Sequence, residues 1–252
     1  MHLAAAPYLE MGLGVATSAL AVAGTISYCG MAPSSQIFGH CVVAASNPLQ
    51  IALTYDDGPN DAATPQLLDV LAQHNVRATF FLIGRFARQR PALVRAIAAA
   101  GHLIGSHTET HPALLLCSNA RIRQELQAGN AALEDILGQP VRWFRPPYGS
   151  RRPYALRQAR ALGLTPVLWN AMGYDWKPTT PQAVEQNLWR GFARNQRRGL
   201  ATNALMHDGG HTGLGADRSH SVAATAALIA RWRQHFAAHH QHCEFVTPDA
   251  WA

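Results

Sequence analysis

Two adjacent carboxylates, Asp56 and Asp57, stand in the run Thr54-Tyr55-Asp56-Asp57-Gly58-Pro59. Such a pair can divide labour, one acid holding a metal and the other taking a proton, although an Asp-Gly step is equally an ordinary turn signal. His107 and His111 lie four residues apart in His107-Thr108-Glu109-Thr110-His111-Pro112. On a helix that spacing puts both imidazoles on one face, within reach of one ion. One further carboxylate would complete a three-ligand site with a position open to water. In Arg145-Pro146-Pro147-Tyr148-Gly149 the prolines stiffen an extended turn that can present the Tyr148 N–H at a fixed place. Arg145 can pair with a carboxylate there, or simply sit on a Pro-rich surface loop. Asp175-Trp176 and Leu205-Met206-His207-Asp208-Gly209 follow. His207 at the end of an apolar strand is either a core histidine or a general acid, since imidazole titrates near neutrality. A second group, His235, His239, His240 and His242, has no carboxylate partner and reads as a solvated helix end.

These residues need elements to position them, and from Leu49 onward the chain alternates strand-like and helix-like blocks. Strands are expected at Leu49 to Tyr55, Ala78 to Ile83, His102 to Gly105, Val141 to Phe144, Thr165 to Trp169 and Leu200 to Met206. Helices are expected at Thr64 to His74, opened by Pro65, and at Pro91 to Ala100, stopped by Gly101. Ser118 to Leu137 reads as a long helix capped by Ser118 and ended by Gly138. Tyr154 to Leu162, Pro181 to Asn195 and Ser219 to Ala238 complete the set. Repeated strand-then-helix units predict an α/β fold of parallel strands, either a barrel or an open wound sheet. Each chemical motif falls where a strand ends, which in a barrel is where reactive groups gather.

The five motifs, in this order, resemble the NodB-like polysaccharide deacetylase family, metal-dependent carbohydrate N-deacetylases. The resemblance runs from Leu49 to near Ala252. It implies a distorted, incomplete (β/α) barrel, with Asp56 as catalytic base and Asp57, His107 and His111 as ligands of one divalent metal ion. Zinc is the expected ion, with cobalt and nickel as other candidates. By the same resemblance Arg145 holds Asp56, the Tyr148 amide helps bind the oxyanion, and Asp175 tunes His207, the general acid. Trp176 and Leu205 would line the acetyl pocket. Two positions depart from the family pattern: Met172 stands where many members carry a second acid, and Tyr55 replaces a commoner Phe. The implied activity is removal of N-acetyl groups from N-acetylglucosamine-containing polysaccharide or oligosaccharide, of peptidoglycan or chitooligosaccharide type. Alternatives are a deacylase of a lipid-linked amino sugar, an acetyl-xylan esterase, and a non-catalytic sugar-binding module on the same fold.

Composition bounds the rest. The 252 residues suffice for a substantial core, and the formal charge of +6, nearly all arginine, is scattered rather than gathered in a nucleic-acid-reading motif. No nucleic-acid partner is expected; an amino-sugar polymer or oligomer is. The four cysteines, Cys29, Cys41, Cys117 and Cys243, form no CxxC pair, and sequence assigns no bridge among them. No Asp, Glu, Lys or Arg occurs between Met11 and Tyr55. Within that stretch Met11 to Ala32 is long enough to span a bilayer as a helix. A cleaved signal would normally carry Lys or Arg ahead of the apolar run, and none is present. The segment is a membrane anchor, a cleaved signal peptide or a buried apolar helix; an N-terminal apolar helix acting as anchor is favoured, with residues 1–46 as anchor and connector and 47–252 as the catalytic domain. The catalytic domain would then be membrane-anchored or exported and extracytoplasmic.

Overall fold

Residues 24–252 are described in the computed structural model of this chain. They begin with a helix at residues 24–31 (α1). The central strand is β1 (Gln50–Gly58), buried along almost its whole length. Its first half, Ile51 to Leu53, is an apolar run, and its buried residues are those of a parallel strand covered on both faces. After it come α2 (Ala63–Gln73), β2 (Thr79–Leu82), α3 (Gly84–Gln89), α4 (Pro91–Ala99), β3 (Leu103–Ser106) and α5 (Asn119–Leu137). The second half holds β4 (Trp143–Phe144), α6 (Pro153–Ala161), β5 (Thr165–Pro166), β6 (Ala171–Met172), α7 (Pro181–Gln196), β7 (Thr202–His207), α8 (Ser219–Ala238) and β8 (Glu244–Val246).

Every strand pairing is parallel, in the order β5-β4-β3-β2-β1-β7-β6, with β8 paired to the first residues of β1. The sheet curls into a half-barrel, since β5 and β6 end the order without pairing to each other. Alternation along β1 sends Ile51, Leu53 and Tyr55 into the helix-side core with Leu67, Leu228 and Trp232. Thr54 and Asp56 take the other face, inside the half-barrel, beside the buried Asn203 and Arg145. That interior is polar, and it is where the strand-end residues meet.

Local chemistry sets both ends of α5. The Ser118 side chain accepts the Arg121 N–H at the start of α5, and Gly138 ends that helix in the left-handed conformation at φ 65°. Three elements were not anticipated: α3, β6 and β8 are six, two and three residues long, too short to show a period.

The histidine pair departs from expectation. His107 and His111 lie on a non-helical loop after β3, with Thr108 and His111 at φ 68° and 67°, rather than on one face of a helix. All four cysteines are free thiols. The stretch read as a connector packs onto the domain: Val42 donates to Pro166 O, its own carbonyl accepts from Leu168 N, and Ala45 O accepts from Ala201 N. Residues 42–45 thus strap the opening between the β5 and β7 sides. The expected anchor, Met11 to Ala32, lies mostly outside the described residues. Among the described residues no helix is long and apolar enough to cross a membrane.

Candidate active site

The end of β1 carries the two acids by a local irregularity. Pairing with β2 slips between Asp56 and Gly58, leaving Asp57 as an extra residue at φ 71°. Simple alternation would turn Asp57 away from Asp56; the bulge and left-handed backbone bring both carboxylates to one cavity. Gly209 makes room for this turn, because a Cβ there would sit 2.1 Å from the Asp57 carbonyl oxygen. A side chain at position 209 is therefore excluded by space.

Asp57 Oδ1 lies 3.0 Å from His111 Nε2 and 3.5 Å from His107 Nε2. The three ligand atoms lie within 4.8 Å of one another, and all three residues are buried. Donors around a tetrahedral zinc are spaced about 3.3 Å apart, given bonds near 2.0–2.1 Å. His107 Nδ1 is 2.7 Å from the Arg145 carbonyl, which leaves Nε2 as the atom facing the acids. Burial alone would raise the Asp57 carboxyl, but the hydrogen bond and charge of His111, with His207 and His107, hold it well below the usual carboxylate range. Burial pushes His107 down to about 4, so its imidazole is neutral near pH 7. An ionised acid and a neutral imidazole are the states a divalent ion requires. The donor set fits such an ion.

Asp56 is fixed from behind. Arg145 Nη1 donates to Asp56 Oδ1 and to Thr54 Oγ1, both at 2.8 Å, and Nη2 donates to Leu168 O at 3.2 Å. The guanidinium lies 4.2 Å from the Phe81 ring centroid and is fully buried. Asp56 Oδ2 remains toward the cavity, 3.7 Å from His107 Nε2.

Across the cavity, Asp175 accepts from the His207 backbone N–H at 2.7 Å and meets His207 Nδ1 at 2.8 Å. Ser221 Oγ, in the first turn of α8, donates to the same carboxylate at 2.6 Å. Burial would lower His207, yet the charge and hydrogen bond of Asp175, with Asp57 and Asp56, push it up to about 9. With Nδ1 engaged, Nε2 is the position from which a proton can be given.

The Tyr148 turn is a 3-10 helix at Pro147–Gly149, with Tyr148 at φ 58°. Its first internal bond runs from Gly149 N–H to Pro146 O, so the turn itself leaves the Tyr148 N–H over. The cavity has a volume of about 410 Å³. Asp56, Asp57, His107, His111, Tyr148 and His207 line it, as do Trp176 and Leu205; Arg145 and Asp175 support it from behind. All ten residues singled out from the sequence therefore converge on one place.

Three further residues escaped notice in the sequence. His211 stacks on His111 at 4.8 Å between centroids and lies 4.0 Å from Asp57 Oδ2. Glu125, buried on α5, accepts from the N–H groups of Glu109 and Thr110 at 3.0 and 2.8 Å and from Thr110 Oγ1 at 2.6 Å. Gly129 lets the same loop lie against α5, since a Cβ there would be 2.5 Å from the Thr108 carbonyl carbon. Position 211 carried a visible signal, a second histidine four residues after His207 in Met206-His207-Asp208-Gly209-Gly210-His211. Nothing local marks Glu125 or Gly129. Asp208 behaves similarly: burial raises its carboxyl to about 7, where it pairs with Thr64 Oγ1 behind the site.

Residues 45–167 match the family model described as polysaccharide deacetylase. A chitooligosaccharide deacetylase of Rhizobium leguminosarum bv. trifolii is 36% identical over 193 residues, 74% of this chain and 86% of the relative. A solved peptidoglycan N-acetylglucosamine deacetylase superposes with a TM-score of 0.70 at 31% identity, covering 81% of this chain and 89% of that one. A second similar structure, from Bacillus anthracis, is described as a pseudoenzyme of carbohydrate esterase family 4; it has a TM-score of 0.69 at 27% identity, covering 78% of this chain and 65% of that one.

Proposed function

The chain belongs to the polysaccharide deacetylase family of hydrolases, and from that premise we propose that it removes N-acetyl groups from N-acetylglucosamine-containing glycans of chitooligosaccharide or peptidoglycan type. The products are acetate and a free amine. Asp57, His107 and His111 would hold one divalent ion, zinc by the nature of the donors, with cobalt or nickel as substitutes. Such an ion, when bound, polarises the amide carbonyl and makes water a stronger acid.

The remaining steps belong to the protein. Asp56, held at Oδ1 by Arg145, takes the proton of the attacking water at Oδ2. The Tyr148 N–H donates to the carbonyl oxygen as negative charge gathers there. His207 delivers its Nε2 proton to the leaving nitrogen, and Asp175 holds the ring at the angle this needs. Trp176 and Leu205 offer an apolar wall against which the acetyl methyl fits. The pseudoenzyme among the similar structures does not set the reading, because each position here carries a side chain competent for its role. On this reading the catalytic domain works outside the cytoplasm, anchored or exported through the N-terminal apolar segment, whose C-terminal end at Gly30 and Ala32 packs on Arg151 of the domain.

The observation that carries the proposal is the convergence of three metal-type donors with the Asp56 carboxylate and a His207 imidazole held by Asp175 around one cavity. Purified protein with added zinc is expected to release acetate from N-acetylglucosamine oligomers. Chelation should abolish release and zinc should restore it, while Asp56→Ala should lower kcat about 10²–10⁴-fold, the usual contribution of a positioned base. Full activity in Asp56→Ala, or no release with zinc, cobalt or nickel, would refute the assignment. Lipid-linked amino sugars and acetylated xylan complete the substrate panel.

A further inference from the structure

Beside the catalytic cavity lies a second, larger groove of about 780 Å³, walled by α7. The two are contiguous, because Trp169 and Met172 line both. Three guanidinium cations line the groove: Arg190, Arg194 and Arg198, at positions i, i+4 and i+8. Arg190 and Arg194 lie one helical turn apart on α7, about 6 Å along its axis, and Arg198 follows in the turn just after the helix. No Asp or Glu lines the groove among the described residues.

The row is only partly engaged. Arg194 Nη2 donates to Asn170 O, a contact that supports the loop before β6. Arg190 has a marginal 3.5 Å contact with Asn187 Oδ1. The Arg198 side chain makes no hydrogen bond or ion pair among the described residues. Arg190 and Arg194, like charges at i and i+4 on α7, repel, and an anion lying against them and Arg198 relieves that repulsion. At the boundary between groove and cavity stand Tyr174 and Trp176, both exposed, with ring centroids 5.4 Å apart. Tyr174 belongs to the groove and Trp176 to the cavity. Exposed aromatic faces of this kind are surfaces on which a sugar ring can lie, leading from the reacting residue toward the arginines.

We propose that this groove is a subsite for an anionic substituent, a carboxylate or a phosphate, carried by sugars next to the one being deacetylated. The inference rests on the deacetylase reading and narrows its substrate to a charged glycan, with Arg190 and Arg198 as specificity-determining residues. Arginine suits the task because its planar fork matches both carboxylate and phosphate oxygens.

The test uses the full chain and the variant Arg190→Glu/Arg198→Glu. Arg194 stays in place because of its contact with Asn170, and both altered side chains are exposed, so the melting temperature should not move. Binding is measured calorimetrically for three N-acetylglucosamine-containing oligomers of equal length: neutral, carboxylate-bearing and phosphate-bearing. The wild type should bind at least one anionic oligomer about 3- to 10-fold more tightly than the neutral one at low salt, in keeping with a few exposed ion pairs. The variant should lose that preference while binding the neutral oligomer as before, and 0.5 M-scale salt should erase the difference (~3–4 Å screening). Whichever anionic oligomer is preferred identifies the source of the charge. Equal wild-type binding of all three oligomers, or an equal change for all three in the variant, would overturn the subsite. Acetate release from all three oligomers is scored separately: its absence from every one of them alongside an intact anion preference sinks the deacetylase reading and leaves the groove standing.

Discussion

His207 and Asp175 show how a single contact between residues 32 positions apart sets both protonation and direction. An imidazole whose value rises from 6.5 to about 9 on folding is stabilised in its charged form. Its contribution to stability is therefore complete below about pH 6.5 and is lost as pH rises through about 9. The same charge is the proton that the leaving amine receives, so the alkaline limb of the kcat profile should lie near pH 9. In Asp175→Asn the charge that raises His207 is gone. The limb should move toward pH 6.5, and kcat should fall by about 10²–10⁴-fold at pH 8. A pH–rate profile whose alkaline limb is unmoved in that variant would rule out the proposed acid.

At the scale of elements, the metal-type site depends on a loop rather than on a helix. The backbone from His107 to His111 has left-handed residues at Thr108 and His111, and α5 supplies the support. Glu125 takes two backbone N–H groups and the Thr110 hydroxyl of this loop, and it also meets Arg121 at 2.6 Å. Glu125→Ala takes the carboxylate acceptor from the Thr110 N–H and hydroxyl in a half-buried place, where each costs about 1–3 kcal/mol, while the Glu109 N–H keeps the backbone carbonyl of residue 125. The larger consequence is expected at the ion: support of this kind is worth about 10- to 100-fold in metal affinity. Competition against a chelator of known strength should reveal that loss, with Glu125→Gln falling between. A zinc affinity equal to the wild type in Glu125→Ala would mean that the loop holds its shape unaided.

For the whole molecule, closure of the half-barrel involves chain well before β1. Arg151 is buried and donates to Gly149 O and Ala32 O, both at 2.8 Å, and to Ser35 O at 2.6 Å. Its own N–H donates to Gly30 O. One residue thus ties α1, the segment after it and the Tyr148 turn together. Arg151→Ala orphans several buried carbonyls and should cost about 2–4 kcal/mol, lowering Tm by roughly 5–15 °C. Removing residues 1–46 should destabilise further and loosen the Tyr148 turn, raising the susceptibility of residues 145–151 to proteolysis. An unchanged Tm in either protein would show that the strap is dispensable.

Much of this protein is legible along the chain because the information is local. Apolar runs mark β1, β2 and β7, Ser118 and Gly138 bound α5, and the acids, imidazoles and Arg-Pro-Pro-Tyr turn announce their chemistry by type and order. Folding decided the rest, since it rests on contacts between residues far apart in the chain. The slip of β1 against β2 turns Asp57 inward, and Glu125 shapes the histidine loop from 15 residues away. Arg151 reaches a carbonyl 119 residues earlier. Arg190, Arg194 and Arg198 acquire meaning only beside Trp169 and Met172, where the groove opens onto the cavity. Side-chain chemistry is written residue by residue, whereas aim, support and neighbourhood exist only once distant segments have packed.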